Sequence, residues 1–397
     1  MTALPRLLFV VTEDWFFRSH FLPLARRAVE EGYEVVVAAR DTGALAGVDG
    51  VRLVDMPFAR GSLKPWDIGR YLAHLNAVVA RERPVIVHAI ATKPAALVLL
   101  AHLRGAGRVF AVTGRGYLAV SEAPAARFVS WRFRRALRRG LNAERTILLV
   151  ENEADRRWIE GRRPLPDTCV VVMPGAGVDP ETLPVAPEPL APIVVGVVAR
   201  LVRSKGIDLV VEAVKALRAN GSEISLRIAG SVDADNPEHV EEAELARWRA
   251  TPGVELVGRI NDIAAFWAGA HIACLPSRGG EGLPRVLLEA ATCGRPVITT
   301  DVPGCADFVR HGETGLVAPA NNAAALAEAI AILASNDALR RRMGEAGRAR
   351  VINGYTDRHA ANAAVRAWER ALGQSAPLRT RHGEREGTQR MDAATDP

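Results

Sequence analysis

The chain has 397 residues, of which 49% are hydrophobic and 24% are charged. At roughly 150 residues per domain, this length predicts two or three domains. The composition excludes a globally disordered chain, a collagen-like repeat and a disulfide-stapled miniprotein, and the apolar runs are shorter than the roughly 18 residues of a membrane-spanning helix. The four cysteines are scattered without a C-x-x-C pair, so we predict neither a disulfide framework nor a zinc site.

The first 150 residues alternate short apolar runs with helical patterns. The first run, residues 7–11, is too short for a signal sequence and is followed by Thr-Glu-Asp, so it is interpreted as the first β-strand of a cytoplasmic protein. A helix is predicted over residues 17–31. Further strands are predicted at residues 33–40, 51–56, 84–89, 108–113 and 146–150. Strands separated by helices of this length predict a parallel sheet with helices on both faces.

Between residues 174 and 192 the chain carries six prolines and two glycines without periodicity, which predicts an interdomain linker. The alternation of strands and helices then resumes. We therefore predict two Rossmann-like domains of the α/β class, over residues 1–180 and 193–355, followed by an amphipathic helix over 357–372. The polar segment 374–397 is predicted to be a disordered tail.

The turn after the first strand bears on the choice of cofactor. A nicotinamide or flavin protein would carry G-x-G-x-x-G at this point. Here the turn reads Thr12-Glu13-Asp14-Trp15 and contains no glycine, and no Walker A sequence is present in the chain. The sequence therefore disfavours an oxidoreductase and a P-loop enzyme.

Two carboxylates frame the segment from Glu281 to Glu289, which reads Glu-Gly-Leu-Pro-Arg-Val-Leu-Leu-Glu. It follows a strand predicted at 271–276, and ligands of open α/β sheets bind beyond the carboxyl ends of the strands. The non-proline backbone N–H groups from Gly282 through Val286 would form an anion cradle at a helix start. Glu289 could accept hydrogen bonds from vicinal hydroxyls such as those of a ribose. The alternative is a helix whose acidic residues only favour its N-terminal dipole.

A second block places Arg200 and Lys205 on either side of a short loop, directly after a strand predicted at 193–200. A planar guanidinium and a point-like ammonium at this position suit a diphosphate. Such a pair is commonly surface charge. The chain contains only four lysines, however, and the acidic segment is expected at the same rim, so we favour a binding role.

Together the two blocks resemble the retaining GT-B glycosyltransferases of family 4, also called group 1. The resemblance covers nearly the whole chain and implies two doubly wound Rossmann-like domains that face a central cleft, with the helix at 357–372 crossing back to the N-terminal domain. It also implies that a nucleotide sugar binds mainly to the C-terminal domain. The donor-binding residues that it implies are Arg200, Lys205, Gly230, Arg259, Ile260, Glu281, Gly282, Leu283, Pro284, Val286 and Glu289.

The resemblance further implies a metal-independent reaction in which Arg200 and Lys205 stabilise the leaving diphosphate and Glu281 faces the donor sugar. No cofactor is expected, because the nucleotide sugar is a substrate. The Asp-x-Asp sequence at 233–235 is typical of metal-dependent transferases of another fold. Here it stands beside Asn236-Pro237 before a predicted helix, so it is interpreted as a helix-capping loop.

The acceptor is expected in the N-terminal domain, where the sequence departs from many relatives. It lacks their glycine-rich loop after the first strand, and Thr113-Gly-Arg-Gly-Tyr117 stands where many of them carry a catalytic-type histidine. With His88 and Lys93 upstream, this pattern resembles the branch that acts on bacterial lipid-linked oligosaccharides and polysaccharide precursors. The predicted acceptor residues are Glu13, His20, His88, Thr113, Arg115 and Tyr117.

Both histidines in this set have an alternative interpretation. His88 is predicted to end a strand at the cleft rim, where it joins Arg200, Lys205 and Glu281 as a catalytic candidate, and the alternative is a buried core histidine. For His20 the alternative is a packing residue at a helix start.

A basic and aromatic segment lies at residues 125–139, where Phe128, Trp131, Phe133 and Leu137 alternate with arginines. Residues 127–145 carry a charge of +6, which equals the formal net charge of the whole chain. This composition is typical of an interfacial helix on anionic lipid, and a solvated surface helix is the alternative. Nucleic-acid binding is not predicted, because no recognised nucleic-acid-binding fold accompanies these charges.

The sequence therefore predicts a bacterial, retaining and metal-independent hexosyl- or N-acetylhexosaminyltransferase at the inner face of the cell membrane. The donor is expected to be a nucleoside diphosphate sugar with UDP as its nucleotide, and the acceptor a polyprenyl-diphosphate-linked saccharide. Three alternatives stay open, namely a soluble transferase with a small-molecule acceptor, a UDP-sugar epimerase of the same architecture and a non-catalytic nucleotide-sugar sensor.

Overall fold

Two parallel β-sheets organise the chain in its computed structural model, which describes residues 4–58, 64–114, 124–233 and 236–373. Apolar side chains pack on both faces of each sheet and form four core clusters. The chain therefore has the predicted α/β class, with one Rossmann-like sheet in each half. The predicted tail, 374–397, lies outside the described residues.

The first sheet contains seven parallel strands, which are β1 (Arg6–Glu13), β2 (Glu34–Arg40), β3 (Val51–Asp55), β4 (Ile86–Ile90), β5 (Gly107–Val112), β6 (Thr146–Val150) and β7 (Val170–Val172). Their order across the sheet is β3-β2-β1-β4-β5-β6-β7. The order changes direction between β1 and β4, which places a crevice beyond the carboxyl ends of these two strands. We call this place the β1–β4 edge.

Helices cover both faces of the first sheet. One face carries α1 (Asp14–His20) and α2 (Leu22–Glu30), and the other carries α3 (Pro65–Glu82), α4 (Thr92–Leu100), α5 (Pro124–Leu141) and α6 (Glu153–Glu160). The prediction of one continuous helix over 17–31 is wrong, because the chain breaks at Phe21. Pro23 lies in the first turn of α2, where its missing N–H is tolerated, whereas inside a longer helix it would remove a hydrogen bond.

The second sheet contains six parallel strands, which are β8 (Ile193–Val198), β9 (Ile224–Ala229), β10 (Val254–Gly258), β11 (Ile272–Leu275), β12 (Val297–Thr300) and β13 (Gly315–Ala318). Their order is β10-β9-β8-β11-β12-β13, which changes direction between β8 and β11. The helices of this half are α7 (Ile207–Ala219), α8 (Glu242–Arg249), α9 (Ile263–Ala268), α10 (Arg285–Thr292), α11 (Cys305–Phe308), α12 (Ala323–Ala334) and α13 (Asp337–Gly354).

The proline-rich segment 174–192 contains no helix or strand beyond one isolated bridge between Val178 and Thr356. It is nevertheless fastened to the second domain. Glu188 in this segment accepts hydrogen bonds from Nε and Nη2 of the buried Arg340, at 2.9 and 2.8 Å. The segment therefore links the two sheets and also packs on the second domain.

The helix α14 (Asp357–Ala371) returns to the first sheet, where its buried face of alanines and Trp368 joins the core. The small side chains allow a close approach. A Cβ atom on Gly107 of β5 would lie only 2.3 Å from the carbonyl oxygen of Ala371. The helix therefore ties the C-terminal part of the described chain to the N-terminal domain.

Candidate active site

The loops that follow β8 and β11 meet where the strand order of the second sheet changes direction. Arg200 and Lys205 follow β8, and Ser277 and Glu281 follow β11. The loops approach closely at Gly206, where a Cβ atom would lie 2.0 Å from a carbonyl oxygen of the β11 loop. We call Arg200, Lys205, Ser277 and Glu281 the β8–β11 edge. Ligands of open α/β sheets bind in such a crevice.

Lys205 and Glu281 form a partly buried ion pair at the centre of this edge. Nζ of Lys205 donates to Oε1 of Glu281 at 2.6 Å, and the two side chains are 16% and 13% exposed. The hydroxyl of the buried Ser277 donates to the same oxygen at 2.7 Å. An ammonium has three N–H donors, so this pair keeps donors for a ligand while its carboxylate is held in one orientation.

Arg200 lies at the same edge and is held by Asp233, with 2.8 Å between Nη1 and Oδ2. Its side chain is 48% exposed, so the guanidinium stays accessible to an anion. This contact corrects the helix-capping interpretation of residues 233–235. The helix α8 begins only at Glu242, too far along the chain to be capped by Asp233, and residues 234–235 lie outside the described ones.

Glu289 lies one turn along α10 from Arg285, and the two side chains form an ion pair with 3.0 Å between Nε and Oε1. Burial raises the pKa of Glu289, and the positive charge of Arg285 opposes that shift. The carboxylate is therefore shielded from solvent and oriented by its own helix. Such a group suits the hydroxyls of a ribose, as the sequence predicts.

One of the backbone N–H groups in the predicted anion cradle between Glu281 and α10 already donates a hydrogen bond within the protein. Gly282, Leu283 and Pro284 are buried, and Val286 is half-buried in the first turn of α10. The N–H of Leu283 donates to Oε2 of Glu151 in the first domain at 2.8 Å. This amide therefore serves a contact between the domains, which the sequence did not predict.

Glu151 is the site residue that sequence reasoning missed. It directly follows β6, and a charged residue after an apolar strand is the only signal that could have indicated it. Burial raises the pKa of Glu151 to about 8, the Leu283 N–H opposes the shift, and the carboxylates of Asp155 and Glu281 add to it. The carboxyl of Glu151 is therefore mostly protonated at pH 7.

Gly230, Arg259 and Ile260 follow β9 and β10, the two strands on one side of β8. A Cβ atom on Gly230 would lie 1.8 Å from the carbonyl oxygen of Ala199, so only glycine fits there. Arg259 is exposed and Ile260 is half-buried. Because the carboxyl ends of parallel strands meet at one edge, these residues lie on the same side of the sheet as Arg200.

His20 of the first domain lies within electrostatic reach of Arg200 and Lys205 at the β8–β11 edge. It is the last residue of α1. The alternative interpretation, a packing residue at a helix start, therefore gives the wrong end of the helix. Its ring packs on Phe16, with 4.6 Å between centroids. Burial lowers the pKa of His20 to about 4, and the positive charges of Arg285 and of the β8–β11 edge add to this shift. Its imidazole is therefore neutral at pH 7.

Glu13 lies at the β1–β4 edge as an ion-paired carboxylate. It ends β1, is 1% exposed, and its Oε2 accepts a hydrogen bond from Nε of Arg40 at 2.9 Å. Lys93, at the start of α4, lies on the same edge. Burial lowers the pKa of Lys93, and the carboxylates of Asp67 and Glu13 oppose this shift. The edge thus holds charges of both signs, and the acceptor-binding role of Glu13 stays a prediction.

Thr113 follows β5 and is half-buried. The next residue, Gly114, lies against the second domain, since a Cβ atom there would be 2.6 Å from the nitrogen of Gly282. Thr113 is therefore close to the cleft between the domains. Arg115 and Tyr117, the other two acceptor candidates of this segment, lie outside the described residues.

His88 is a core residue, and its predicted catalytic and acceptor-binding roles at the cleft rim are wrong. The strand β4 continues to Ile90, so His88 is its central residue and is 0% exposed. Its Nδ1 accepts a hydrogen bond from Nε1 of Trp368 at 3.1 Å, and its ring packs on Phe9. Burial lowers the pKa of His88 to about 3. The alternative of a buried histidine is the correct one.

The basic segment forms the helix α5, with an aromatic and basic outer face. Phe128 and Trp131 are 57% and 49% exposed and stack with 6.0 Å between their centroids. The guanidinium groups of Arg132 and Arg135 lie 5.8 and 5.9 Å from these two rings. The other aromatic residue of the segment, Phe133, is buried in the core. The helix therefore exposes large apolar rings among positive charges.

Within the described ranges, no helix is both long and apolar enough to cross a membrane. In the same part of the chain, no group of three or more His, Cys, Asp or Glu side chains could hold a metal ion. The four cysteines, Cys169, Cys274, Cys293 and Cys305, are free thiols.

Two protein families match consecutive parts of the chain. Residues 18–182 match the family described as Glycosyltransferase Family 4, and residues 179–350 match the family described as Glycosyl transferases group 1. The two matches meet in the proline-rich segment that links the sheets. The second match contains the whole β8–β11 edge.

In sequence, the chain is similar to the capsular polysaccharide biosynthesis glycosyltransferase CapM of Staphylococcus aureus, with 32% identity over 163 residues, 41% of this chain and 42% of that protein. It spans about half or less of the length of such curated relatives, from 22% to 51%.

In structure, the chain is similar to a glycosyltransferase of Rickettsia africae, with a TM-score of 0.75 and 18% identity over 94% of this chain and 100% of that one. It is also similar to HepE of Anabaena in complex with UDP-glucose, with a TM-score of 0.72 and 16% identity over 90% and 98% of the two chains. At these identities the likeness shows the fold, which is GT-B.

Proposed function

The chain belongs to the family 4 and group 1 glycosyltransferases with the GT-B fold, and from this premise we propose that it transfers a sugar from a UDP-sugar to a saccharide linked to polyprenyl diphosphate. The observation that carries the proposal is the ion pair between Lys205 and Glu281, 2.6 Å long, in the crevice of the second sheet. With the accessible guanidinium of Arg200 beside it, this crevice offers two cations to a diphosphate.

The reaction breaks the bond between the anomeric carbon and the diphosphate oxygen and forms a bond from that carbon to an acceptor hydroxyl oxygen. Negative charge develops on the leaving diphosphate. Arg200 and Lys205 are already held by carboxylates, so they stabilise this charge without reorganisation. The proton of the acceptor hydroxyl passes to the leaving phosphate, and transfer on one face retains the anomeric configuration. Because two fixed cations supply the positive charge, the reaction requires no metal.

Glu281 and Glu289 have separate tasks in this proposal. Lys205 and Ser277 both bind Oε1 of Glu281, which directs the carboxylate so that its other oxygen can accept a hydrogen bond from a hydroxyl of the donor sugar. Glu289, oriented by Arg285, accepts hydrogen bonds from the ribose. Both carboxylates orient the donor, and neither needs to form a covalent intermediate.

The acceptor hydroxyl approaches from the first domain. His20 lies within electrostatic reach of the β8–β11 edge, and because its pKa is lowered to about 4, its neutral imidazole can accept a hydrogen bond from a hydroxyl at pH 7. Glu13 and Thr113 lie on the same side and are proposed to hold the acceptor saccharide.

The outer face of α5 supports a peripheral position on the inner face of the bacterial cell membrane. Phe128 and Trp131 expose large rings beside Arg132 and Arg135, and helices of this composition bind anionic lipid surfaces. A polyprenyl-linked acceptor would be presented by the same surface. The name of CapM, capsular polysaccharide biosynthesis glycosyltransferase, supports a polysaccharide precursor as the saccharide.

Nucleotide release from a panel of UDP- and GDP-sugars, with and without a bacterial lipid-linked saccharide extract, tests the proposal. We expect release of UDP from one donor, dependent on the extract and unchanged by EDTA, and a product whose anomeric configuration by NMR equals that of the donor. Equal release with a water-soluble saccharide would indicate a soluble transferase. Conversion of the donor without an acceptor would indicate an epimerase. Binding of the donor without turnover would indicate a sensor. Each of these three results would overturn the proposal.

A further inference from the structure

The first domain holds a single peptide unit of the second domain by both of its polar groups. Oε2 of Glu151 accepts a hydrogen bond from the N–H of Leu283 at 2.8 Å. Nδ2 of Asn152 donates to the carbonyl oxygen of Gly282 at 3.2 Å. These two groups belong to the same peptide unit, and that unit lies next to Glu281. We call residues 281–284 the donor loop.

Packing encloses the same peptide unit from both domains. A Cβ atom on Gly282 would lie 1.9 Å from Oε2 of Glu151, and one on Gly114 would lie 2.6 Å from the nitrogen of Gly282. From the second domain, a Cβ atom on Gly304 would lie 1.6 Å from the carbonyl oxygen of Gly282. These three glycines allow the two domains to approach closely. While this contact is formed, the backbone of the donor loop has little room to move.

Asn152 is itself fixed before it reaches the donor loop. It is 3% exposed and caps α6, since its Oδ1 accepts from the N–H of Asp155 at 2.7 Å. Its Nδ2 also donates to Oδ2 of Asp155 at 3.1 Å. The start of α6 therefore presets the direction of Asn152, and Glu151 is the neighbouring residue on the same rigid turn.

We infer that Glu151 is a positioning residue, which holds the donor loop, and through it Glu281, in the shape that binds the donor. The inference rests on the proposed function, because that proposal assigns Glu281 to the donor sugar. Lys205 and Ser277 hold the carboxylate of Glu281 from the second domain, whereas Glu151 fixes the backbone that follows it. The contact between the two domains and the orientation of the donor are thereby coupled.

The charge that Glu151 carries at this contact depends on pH. The groups that face Glu151 are the carboxylate of Asp155 from α6 and that of Glu281 from the donor loop, and Lys205 neutralises the latter. Burial raises the pKa of Glu151 to about 8, so the group is neutral below that pH and ionised above it. Ionised Glu151 would add a negative charge beside the donor diphosphate, and donor binding should weaken as the pH rises from 7 to 9.

Amide hydrogen exchange tests the contact without any donor. Glu151→Ala removes the acceptor of the Leu283 N–H, Glu151→Gln keeps an accepting oxygen, and Glu153→Ala changes an exposed glutamate of the same helix start as a control. We expect the peptide that contains Leu283 to exchange about 10-fold faster in Glu151→Ala than in the other three proteins. Equal exchange in all four would overturn the positioning role.

Calorimetric titration with UDP at pH 7 and pH 9 tests the consequence for the donor. The diphosphate keeps its full charge over this range, because the last phosphate pKa is about 6, and the uracil N–H, which begins to ionise at about pH 9, affects all variants alike. We expect Glu151→Ala to bind UDP about 10-fold more weakly than wild type at pH 7. Between pH 7 and pH 9, wild type should lose several-fold more affinity than Glu151→Gln, whose residue 151 stays neutral at both pH values.

The same pH response in wild type and Glu151→Gln would overturn the inference, since a purely structural role would not depend on the charge of residue 151. A wild-type chain that does not bind UDP would instead count against the proposed donor. The exchange rates of the donor loop would then still decide whether Glu151 holds it, so the two failures are distinguishable.

Discussion

The two sheet edges that face the cleft differ in how they use charged side chains. At the β8–β11 edge, Lys205 and Glu281 pair at 2.6 Å with both side chains partly exposed, and Arg200 is 48% exposed. At the β1–β4 edge, Glu13 is 1% exposed and is held by Arg40, and His88, expected there, is buried in the core. The former edge is suited to a diphosphate, whereas the latter offers few accessible charges.

This difference supports placing the proposed chemistry in the second domain. In the proposed function, the first domain contributes to the site through a few contacts, chiefly His20 and Glu151, and to membrane association through α5. Substitutions at the β8–β11 edge should therefore change turnover or donor affinity, and substitutions around His88 should change stability. The following experiments separate these effects.

The largest effect is expected for Lys205→Ala. Removal of one group that stabilises an oxyanion lowers kcat by about 100-fold or more. Steady-state nucleotide release should show that loss with a smaller change in donor KM, and Lys215→Ala, an exposed lysine of α7, should behave as wild type. An unchanged kcat in Lys205→Ala would remove the basis for placing the diphosphate at this edge.

The outer face of α5 should determine membrane association. The double substitution Phe128→Ser with Trp131→Ser removes two exposed rings, each worth about 1.5–3 kcal/mol when buried, so binding to phosphatidylglycerol vesicles should fall by at least 10-fold. Co-sedimentation measures the effect, with Ile332→Ser, an exposed apolar residue of the second domain, as the control. Equal sedimentation of both variants would favour a solvated helix and a soluble transferase.

A smaller effect is expected for Glu289→Ala. Loss of a carboxylate that accepts hydrogen bonds from ribose hydroxyls should raise donor KM by about 10-fold with little change in kcat, since a hydrogen bond to a charged group is worth about 1.5–3 kcal/mol. Glu345→Ala, an exposed glutamate of α13, is the matched control. If KM stayed at the wild-type value, the ribose would have to be placed elsewhere.

The smallest effect on activity is expected for His88→Leu. This substitution leaves the buried Nε1–H of Trp368 without its acceptor, which costs about 1–3 kcal/mol of the free energy of unfolding. Denaturant unfolding should show that loss, while kcat/KM of the folded enzyme stays within about threefold of wild type. A fall of 100-fold in kcat with unchanged stability would return His88 to the catalytic residues.

The same contrast explains how much could be predicted from the sequence. Arg200, Lys205 and Glu281 were predictable because each follows an apolar strand, and the carboxyl ends of parallel strands meet at one edge. The contact between Glu151 and Leu283 was not, because these residues are 132 positions apart and no local pattern links them.

The errors in the first domain have local physical causes. His88 was misplaced because β4 runs two residues past it, to Ile90, which turns a supposed strand end into a strand centre. The helix break at Phe21 was missed because the apolar spacing continues through it, and only Pro23 marks the new start.

The most direct test of the donor site is an experimental structure of the chain with UDP bound. We expect the diphosphate within hydrogen-bonding distance of Arg200 and Lys205, the ribose hydroxyls at Glu289, and the uracil beside residues 258–260. A diphosphate bound at the β1–β4 edge, with Lys205 and Glu281 still paired and out of its reach, would contradict the account.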